Sequence, residues 1–155
     1  MKSKDQQLLE ALGLLGRRDQ LLFGGAHPNY CGGTAQFKGI NLKTLKELQR
    51  IGCLDPMDSF NCSPETGEFM DFMEPYPNNQ RRLGLRRHPG FTAHGYAYRI
   101  DRFEEVGGIL HSIAIEGIEL RAPKIDWQTT QDFVMAFRCA TDFEWEPDHL
   151  YCWYD

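Results

Sequence analysis

The chain has 155 residues and a net charge of −5, with 41% hydrophobic, 25% charged and 12% aromatic residues. This length suffices for one domain with a hydrophobic core, and the composition excludes a disordered, collagen-like or coiled-coil chain. We therefore expect a single domain over residues 1–155.

The charge is unevenly distributed along the chain. Residues 1–50 carry a net charge of +4, residues 51–100 one of −1, and residues 101–155 one of −8. Non-specific affinity for nucleic acid comes from clustered Lys and Arg, so an acidic chain is a poor general binder of nucleic acid. Direct nucleic-acid binding is therefore not expected of the chain as a whole.

The N-terminal segment predicts neither export nor membrane insertion. Asp5 and Glu10 interrupt the apolar region that a signal peptide needs, and Gly16 ends the apolar stretch far short of the roughly 20 residues of a membrane span. The five cysteines form an odd set without tight spacing, which is typical of free thiols in a reducing compartment. We expect a cytoplasmic protein without membrane contact.

Periodicity and capping residues predict three helices in the first half of the chain, at about residues 4–15, 42–51 and 64–74. Asn41 is suited to cap the second of these, and Gly52 lies where a left-handed residue ends a helix. A short strand is expected at residues 34–38, where polar and apolar side chains alternate.

The second half predicts strands. Residues 94–103 and 109–120 alternate in hydropathy on either side of a Gly-Gly turn, which indicates an antiparallel hairpin. Thr129 or Thr130 is expected to cap a final helix, and the aromatic segment 149–154 is typical of a closing strand. The predicted fold is α+β, with about four helices packed on one face of a small antiparallel sheet.

Residues 80–90 form the densest basic segment, within a long predicted loop. Guanidinium groups bind phosphate or carboxylate through paired N–H donors, so this arginine loop is a candidate site for an anion or, locally, for nucleic acid. The alternative is a solvated loop or a protein contact. The candidate anion-binding residues are Arg81, Arg82, Arg86, Arg87 and His88.

The opposite feature is an acidic and aromatic segment near the C-terminus. Carboxylates beside Trp and Tyr suit a surface that docks on a basic partner, because charge steers the encounter and aromatic rings supply buried contact area. The alternative is that the rings belong to the core and the carboxylates keep the domain hydrated. The candidate partner-binding residues are Asp142, Glu144, Trp145, Glu146 and Asp148.

Two candidate catalytic sites remain. Cys31 precedes two glycines whose backbone N–H groups could stabilise an oxyanion, although a structural cysteine is the alternative. His94, Tyr96 and Glu116 lie near one end of the predicted hairpin and could form an acid/base site, or a cross-strand hydrogen bond that fixes register.

Metal and cofactor signatures are absent from the sequence. The paired short spacings of zinc sites are missing, as are the serine hydrolase, metalloprotease and P-loop patterns. We expect no metal and no cofactor.

These features favour a small binding or regulatory protein, of a compactness typical of bacteria or mobile elements, that acts through a protein–protein contact. One form of this would be an acidic inhibitor of a basic or nucleic-acid-binding partner. The alternative is an enzyme or ligand-binding protein that uses the arginine loop and His94, Tyr96 and Glu116 on an anionic substrate. The sequence leaves open whether the chain has enzymatic activity and which oligomeric state it adopts.

Overall fold

The computed structural model describes residues 4–13, 34–59, 62–76, 90–100 and 110–154. The helices and strands within these ranges are, in chain order, α1 (Lys4–Ala11), β1 (Thr34–Asn41), α2 (Leu42–Arg50), α3 (Thr66–Met73), β2 (Thr92–Ile100), β3 (Leu110–Arg121), α4 (Trp127–Phe137), β4 (Asp142–Glu146) and β5 (His149–Trp153). The α+β class predicted from the sequence is confirmed. No helix in these ranges is long and apolar enough to cross a membrane.

The strands form one antiparallel sheet in the order β1-β2-β3-β5-β4. The antiparallel pairing predicted between residues 94–103 and 109–120 is confirmed by β2 and β3, while residues 101–109 lie outside the described ranges. β5 confirms the predicted closing strand. It lies between β3 and β4, so the C-terminal hairpin extends the sheet by two strands.

One face of the sheet packs with the helices into a hydrophobic core. Each helix contributes buried side chains because its apolar residues recur at helical spacing. Phe133 of α4 stacks on Phe143 of β4, with ring centroids 5.5 Å apart. Other core residues include, from the sheet, Ala93, Ala97, Ile113, Ile115 and Leu150 and, from the helices, Leu8, Leu45, Leu48, Phe69, Met73 and Phe137.

A β-bulge interrupts the pairing of β2 with β3. His94 is paired with Gly117 whereas Gly95 is paired with Ile115, so Glu116 is the extra residue of β3. The bulge lets both halves of β3 face the core although their parity differs. The core residues are Ile113 and Ile115 before the bulge and Ile118 and Leu120 after it.

The second helix follows its prediction closely. The Asn41 side chain accepts a hydrogen bond from the Thr44 backbone N–H at 2.9 Å, and Gly52 adopts a φ of +85° just beyond the last turn. A polar N-cap and a left-handed glycine thus delimit α2, because each satisfies backbone groups that a helix end leaves unpaired.

The bounds of two other helices differ from the predictions, and the predicted set of about four helices is confirmed only in part. α1 ends at Ala11 rather than at residue 15, because Gly13 turns the chain at a φ of +70°. α3 begins at Thr66, two residues later than predicted.

The final helix is capped by a residue that the sequence prediction missed. Asp126, rather than Thr129 or Thr130, is the N-cap of α4, and its carboxylate accepts a hydrogen bond from the Thr129 backbone N–H at 3.0 Å. Both threonines are buried within the first turns of the helix. An ionised N-cap also interacts favourably with the positive end of the helix dipole.

Candidate interaction site

The strand β4 forms an edge of the sheet. Among the described strands it pairs with β5 alone, through a tight turn at residues 147–148. In an antiparallel edge strand, alternate residues direct their N–H and C=O groups away from the neighbouring strand. The charge pattern of this segment marks it as a candidate surface, but its strand is not predicted from the sequence.

The two sides of β4 differ in chemistry. Successive side chains of a strand point to opposite faces, so Phe143 and Trp145 lie on the helix side. Phe143 packs into the core, whereas Trp145 is 52% exposed. Trp127, at the start of α4, is 67% exposed and contacts Trp145, with ring centroids 6.4 Å apart and planes at 65°. Two tryptophans thus form one exposed aromatic pair beside the sheet edge.

The other side of β4 and its turn carry four carboxylates. Asp142, Glu144, Glu146 and Asp148 are all exposed. Within the described part of the chain, only Glu144 lies within ion-pair distance of a basic side chain, at 3.6 Å from His149 Nδ1. We call the four carboxylates, with Trp145 and Trp127, the acidic edge. The structure therefore places the five partner-binding candidates of the sequence analysis on one edge strand and its turn.

The phenol of Tyr151 lies beside this concentration of negative charge. Tyr151 on β5 is paired with Glu144 in the sheet. Burial, followed by the charges of Asp142, Glu119 and Glu144 among other groups, raises the pKa of the Tyr151 phenol. The charges of Asp142 and Glu144 thus add to burial in disfavouring ionisation of the Tyr151 phenol.

His149 links the acidic edge to β3. Its Nε2 lies 2.6 Å from Glu119 Oε2, and its Nδ1 faces Glu144. Arg121 also approaches Glu119, with Nη2 at 3.4 Å from Oε2. Arg121 and His149 thus lie beside the carboxylate of Glu119 on β3, whereas the carboxylates of Asp142, Glu146 and Asp148 are exposed.

A cluster of rings occupies the sheet face opposite the hydrophobic core. His94 stacks on Tyr151 and on Trp153, at centroid distances of 5.0 and 5.1 Å and interplanar angles near 20°. Tyr96 contacts the edge of Trp153 at 5.6 Å. The four rings connect β2 with β5 across β3.

His94 is held in a fixed position within this ring cluster. It is only 3% exposed, and its Nε2 lies 2.7 Å from the Cys152 carbonyl oxygen. A carbonyl oxygen only accepts, so Nε2 carries the proton. Burial lowers the pKa of His94, which favours the neutral imidazole. The absence of a side chain at Gly117 leaves room for the His94 ring, because a Cβ there would lie 1.8 Å from the Cys152 oxygen and 2.5 Å from His94 Nε2.

The proposed acid/base group lies around the bulge. Gly117 is opposite His94 and Ala114 is opposite Tyr96, so Glu116 lies between them along β3 and is fully buried. Its backbone oxygen accepts a hydrogen bond from the Tyr154 N–H at 2.8 Å. The three candidates are thus close in the sheet, and the hydrogen bond of His94 reaches the Cys152 carbonyl of β5.

Several predicted site residues lie outside the described ranges: Cys31, Arg81, Arg82, Arg86, Arg87 and His88. Within those ranges, no three or more His, Cys, Asp or Glu side chains are grouped so that they could hold a metal ion. The surface pockets beside α1 and α2, between α3 and α4, between α2 and the end of α3, and beside Arg121 do not involve His94, Tyr96 or Glu116.

The structure adds residues that sequence reasoning did not select. Trp127 belongs to the acidic edge because Asp126 caps α4 and the helix starts at Trp127, which brings the ring to Trp145 of β4. Recognising Asp126 as the cap would have placed Trp127 at the exposed start of a helix. The ring cluster could not be predicted from the sequence, because it depends on the order of the strands in the sheet, which no local sequence pattern specifies.

Comparison with protein-family models, with curated proteins and with solved structures finds no match to this chain.

Proposed function

We propose that this protein binds a basic protein partner through the acidic edge. The observation that supports the proposal is the juxtaposition of four exposed carboxylates with an exposed tryptophan pair at one edge of the sheet. Either feature alone has a simpler explanation, since carboxylates keep surfaces hydrated and single exposed apolar residues are normal. Together they combine long-range attraction with a site for close contact.

Each component has a distinct physical role in such a complex. The carboxylates accelerate encounter with a positively charged surface and disfavour acidic competitors. The tryptophans offer large rings that lose little conformational entropy on binding and that attract Lys or Arg through cation–π contacts. A partner that presents basic residues beside apolar ones fits both components.

The partner class follows from the same chemistry. A nucleic-acid-binding enzyme carries a basic surface, and carboxylates can bind to that surface in place of phosphates. An acidic inhibitor of such an enzyme is therefore one form of the proposal, and a regulatory subunit of another basic protein is a second. For the alternative of an enzyme acting on an anionic substrate, the fixed and buried His94 offers no specific support.

The experiment is cross-linking of the tagged protein in cells of its source organism, followed by mass spectrometry. We expect wild type to capture a protein with a basic surface, and the variant Glu144→Gln/Glu146→Gln with Trp145→Ala to lose it. The matched control is Glu65→Gln/Asp71→Asn, which removes two exposed carboxylates outside the acidic edge. Equal capture by all three proteins would refute the proposal.

A further inference from the structure

We infer that the acidic edge binds its partner as an added β-strand, whose Lys or Arg residues alternate with apolar ones. This inference rests on the proposed function, and it specifies the conformation and pattern of the segment bound. The surface it uses is the outer edge of β4, which within the described residues has β5 on one side only.

The backbone of β4 supplies the first reason. Five residues, Asp142–Glu146, hold extended conformation in register with β5. Alternate residues of such a strand leave N–H and C=O groups for a further strand, and extended segments bind other sheet edges in this way.

The side chains supply the second reason. Asp142, Glu144 and Glu146 are two residues apart, so they share one face of the strand, with Trp145 on the other. A strand added to β4 would therefore place every second residue opposite a carboxylate. Its intervening residues would lie on the side of the exposed tryptophan pair. Opposite charges across strands are favourable, which selects Lys or Arg at the first set of positions and apolar residues at the second.

The same charges argue against a second copy of this chain as the occupant. Two β4 edges side by side would bring carboxylates toward carboxylates, and like charges on paired strands destabilise them. Charged edge strands are a known protection against self-association. The acidic edge thus disfavours pairing with a second copy of itself and favours pairing with a basic strand.

The test uses the full-length protein and two short peptides of identical composition. In one peptide Lys alternates with Val, and in the other the same residues form a Lys block and a Val block. Affinity is measured by titration, and hydrogen exchange of β4 amides is followed by NMR. We expect the alternating peptide to bind about tenfold more tightly, through its cross-strand pairs. We also expect alternate amides of residues 142–146 to gain protection.

The opposite edge of the sheet is an internal control. β1 is also an edge strand in the described sheet, but it carries Lys38 and no carboxylate. Its amides should keep their exchange rates when the alternating peptide binds. Protection of β1 instead of β4 would overturn the inference.

The outcomes separate this inference from the proposed function. If both peptides bind equally, without protection of β4, and Glu144→Gln/Glu146→Gln weakens both, the strand addition is wrong and the basic-partner proposal stands. If neither peptide binds at millimolar concentration, both are contradicted.

Discussion

His94 illustrates how burial determines the protonation of a single residue. Its imidazole lies between aromatic rings and donates to the Cys152 carbonyl, and burial lowers its pKa from the ordinary value of 6.5. The unfolded chain then binds a proton more readily than the folded one. His94 therefore contributes no pH-dependent loss of stability above pH 6.5, and protonation destabilises the fold as pH falls toward the lowered pKa.

We predict that the free energy of unfolding decreases less between about pH 7 and pH 5 in His94→Gln than in wild type. Glutamine retains an N–H donor but does not titrate. The measurement is urea denaturation at several pH values, with the difference between the two proteins isolating His94 from the other titrating groups. Identical pH slopes would show that His94 titrates equally in the folded and unfolded chains.

The cysteines differ in reactivity for the same physical reason. Cys53 and Cys152 are buried, whereas Cys62 and Cys139 are exposed. Burial raises the pKa of Cys152 to about 12, so at neutral pH it lacks the thiolate that reacts with electrophiles.

We predict that a thiol-reactive probe labels Cys62 and Cys139 in the folded protein well before Cys53 and Cys152. Mass spectrometry of peptides sampled over time measures the order, and all four should react alike in denaturant. Early labelling of Cys152 in the folded protein would contradict its buried position on the core face of β5.

At the scale of elements, the bulge at Glu116 lets both halves of β3 direct apolar side chains to the core face of the sheet. It changes the parity of β3, and two glycines permit the close strand approach around it. A Cβ at Gly95 would lie 2.0 Å from the Ala114 oxygen, and one at Gly117 would meet both the Cys152 oxygen and His94. The strands must therefore separate if either glycine gains a side chain.

We predict that Gly117→Ala lowers the free energy of unfolding by about 3 kcal/mol or more, because the added methyl group overlaps backbone in a packed sheet. The matched control is Gly39→Ala, where no atom lies within 4 Å and only the positive φ of 72° opposes the change. That control should cost about 1 kcal/mol. Chemical denaturation of both variants measures the difference, and a loss for Gly117→Ala no larger than that of the control would contradict the close approach of the strands at Gly117.

Elements with local determinants were predictable from sequence. Asn41 and Gly52 delimit α2, and each of the two signals acts through backbone groups next to it in the chain. Asp142–Glu146 was missed as a strand because acidic residues disfavour strands, and its conformation depends on pairing with β5. The bulge was missed because it becomes visible only in the register of two strands.

At the scale of the whole molecule, the structure shows where part of the negative charge of the C-terminal third lies. The acidity of residues 101–155 includes the four carboxylates of the acidic edge, at one end of the strand order. The sequence could show the charges and the tryptophans. It could not show that α4 brings Trp127 to Trp145, because that contact joins two elements whose relative position depends on the core.

We predict that Glu144→Gln/Glu146→Gln leaves the free energy of unfolding within about 0.5 kcal/mol of wild type, because both side chains are exposed and outside the core. Thermal and urea denaturation measure this. A loss of several kcal/mol would mean that the carboxylates serve the fold, and their role in binding would lose its support.

The salt dependence of binding tests the central claim most directly. Once the cross-linked partner is purified, its affinity is measured at about 50 and 300 mM salt for wild type, Glu144→Gln/Glu146→Gln and the control Glu65→Gln/Asp71→Asn. We expect wild type and the control to bind alike and to weaken as salt rises. We expect the acidic-edge variant to bind about tenfold more weakly at low salt and to depend less on salt. Equal affinity and equal salt dependence of all three proteins would contradict binding through the acidic edge.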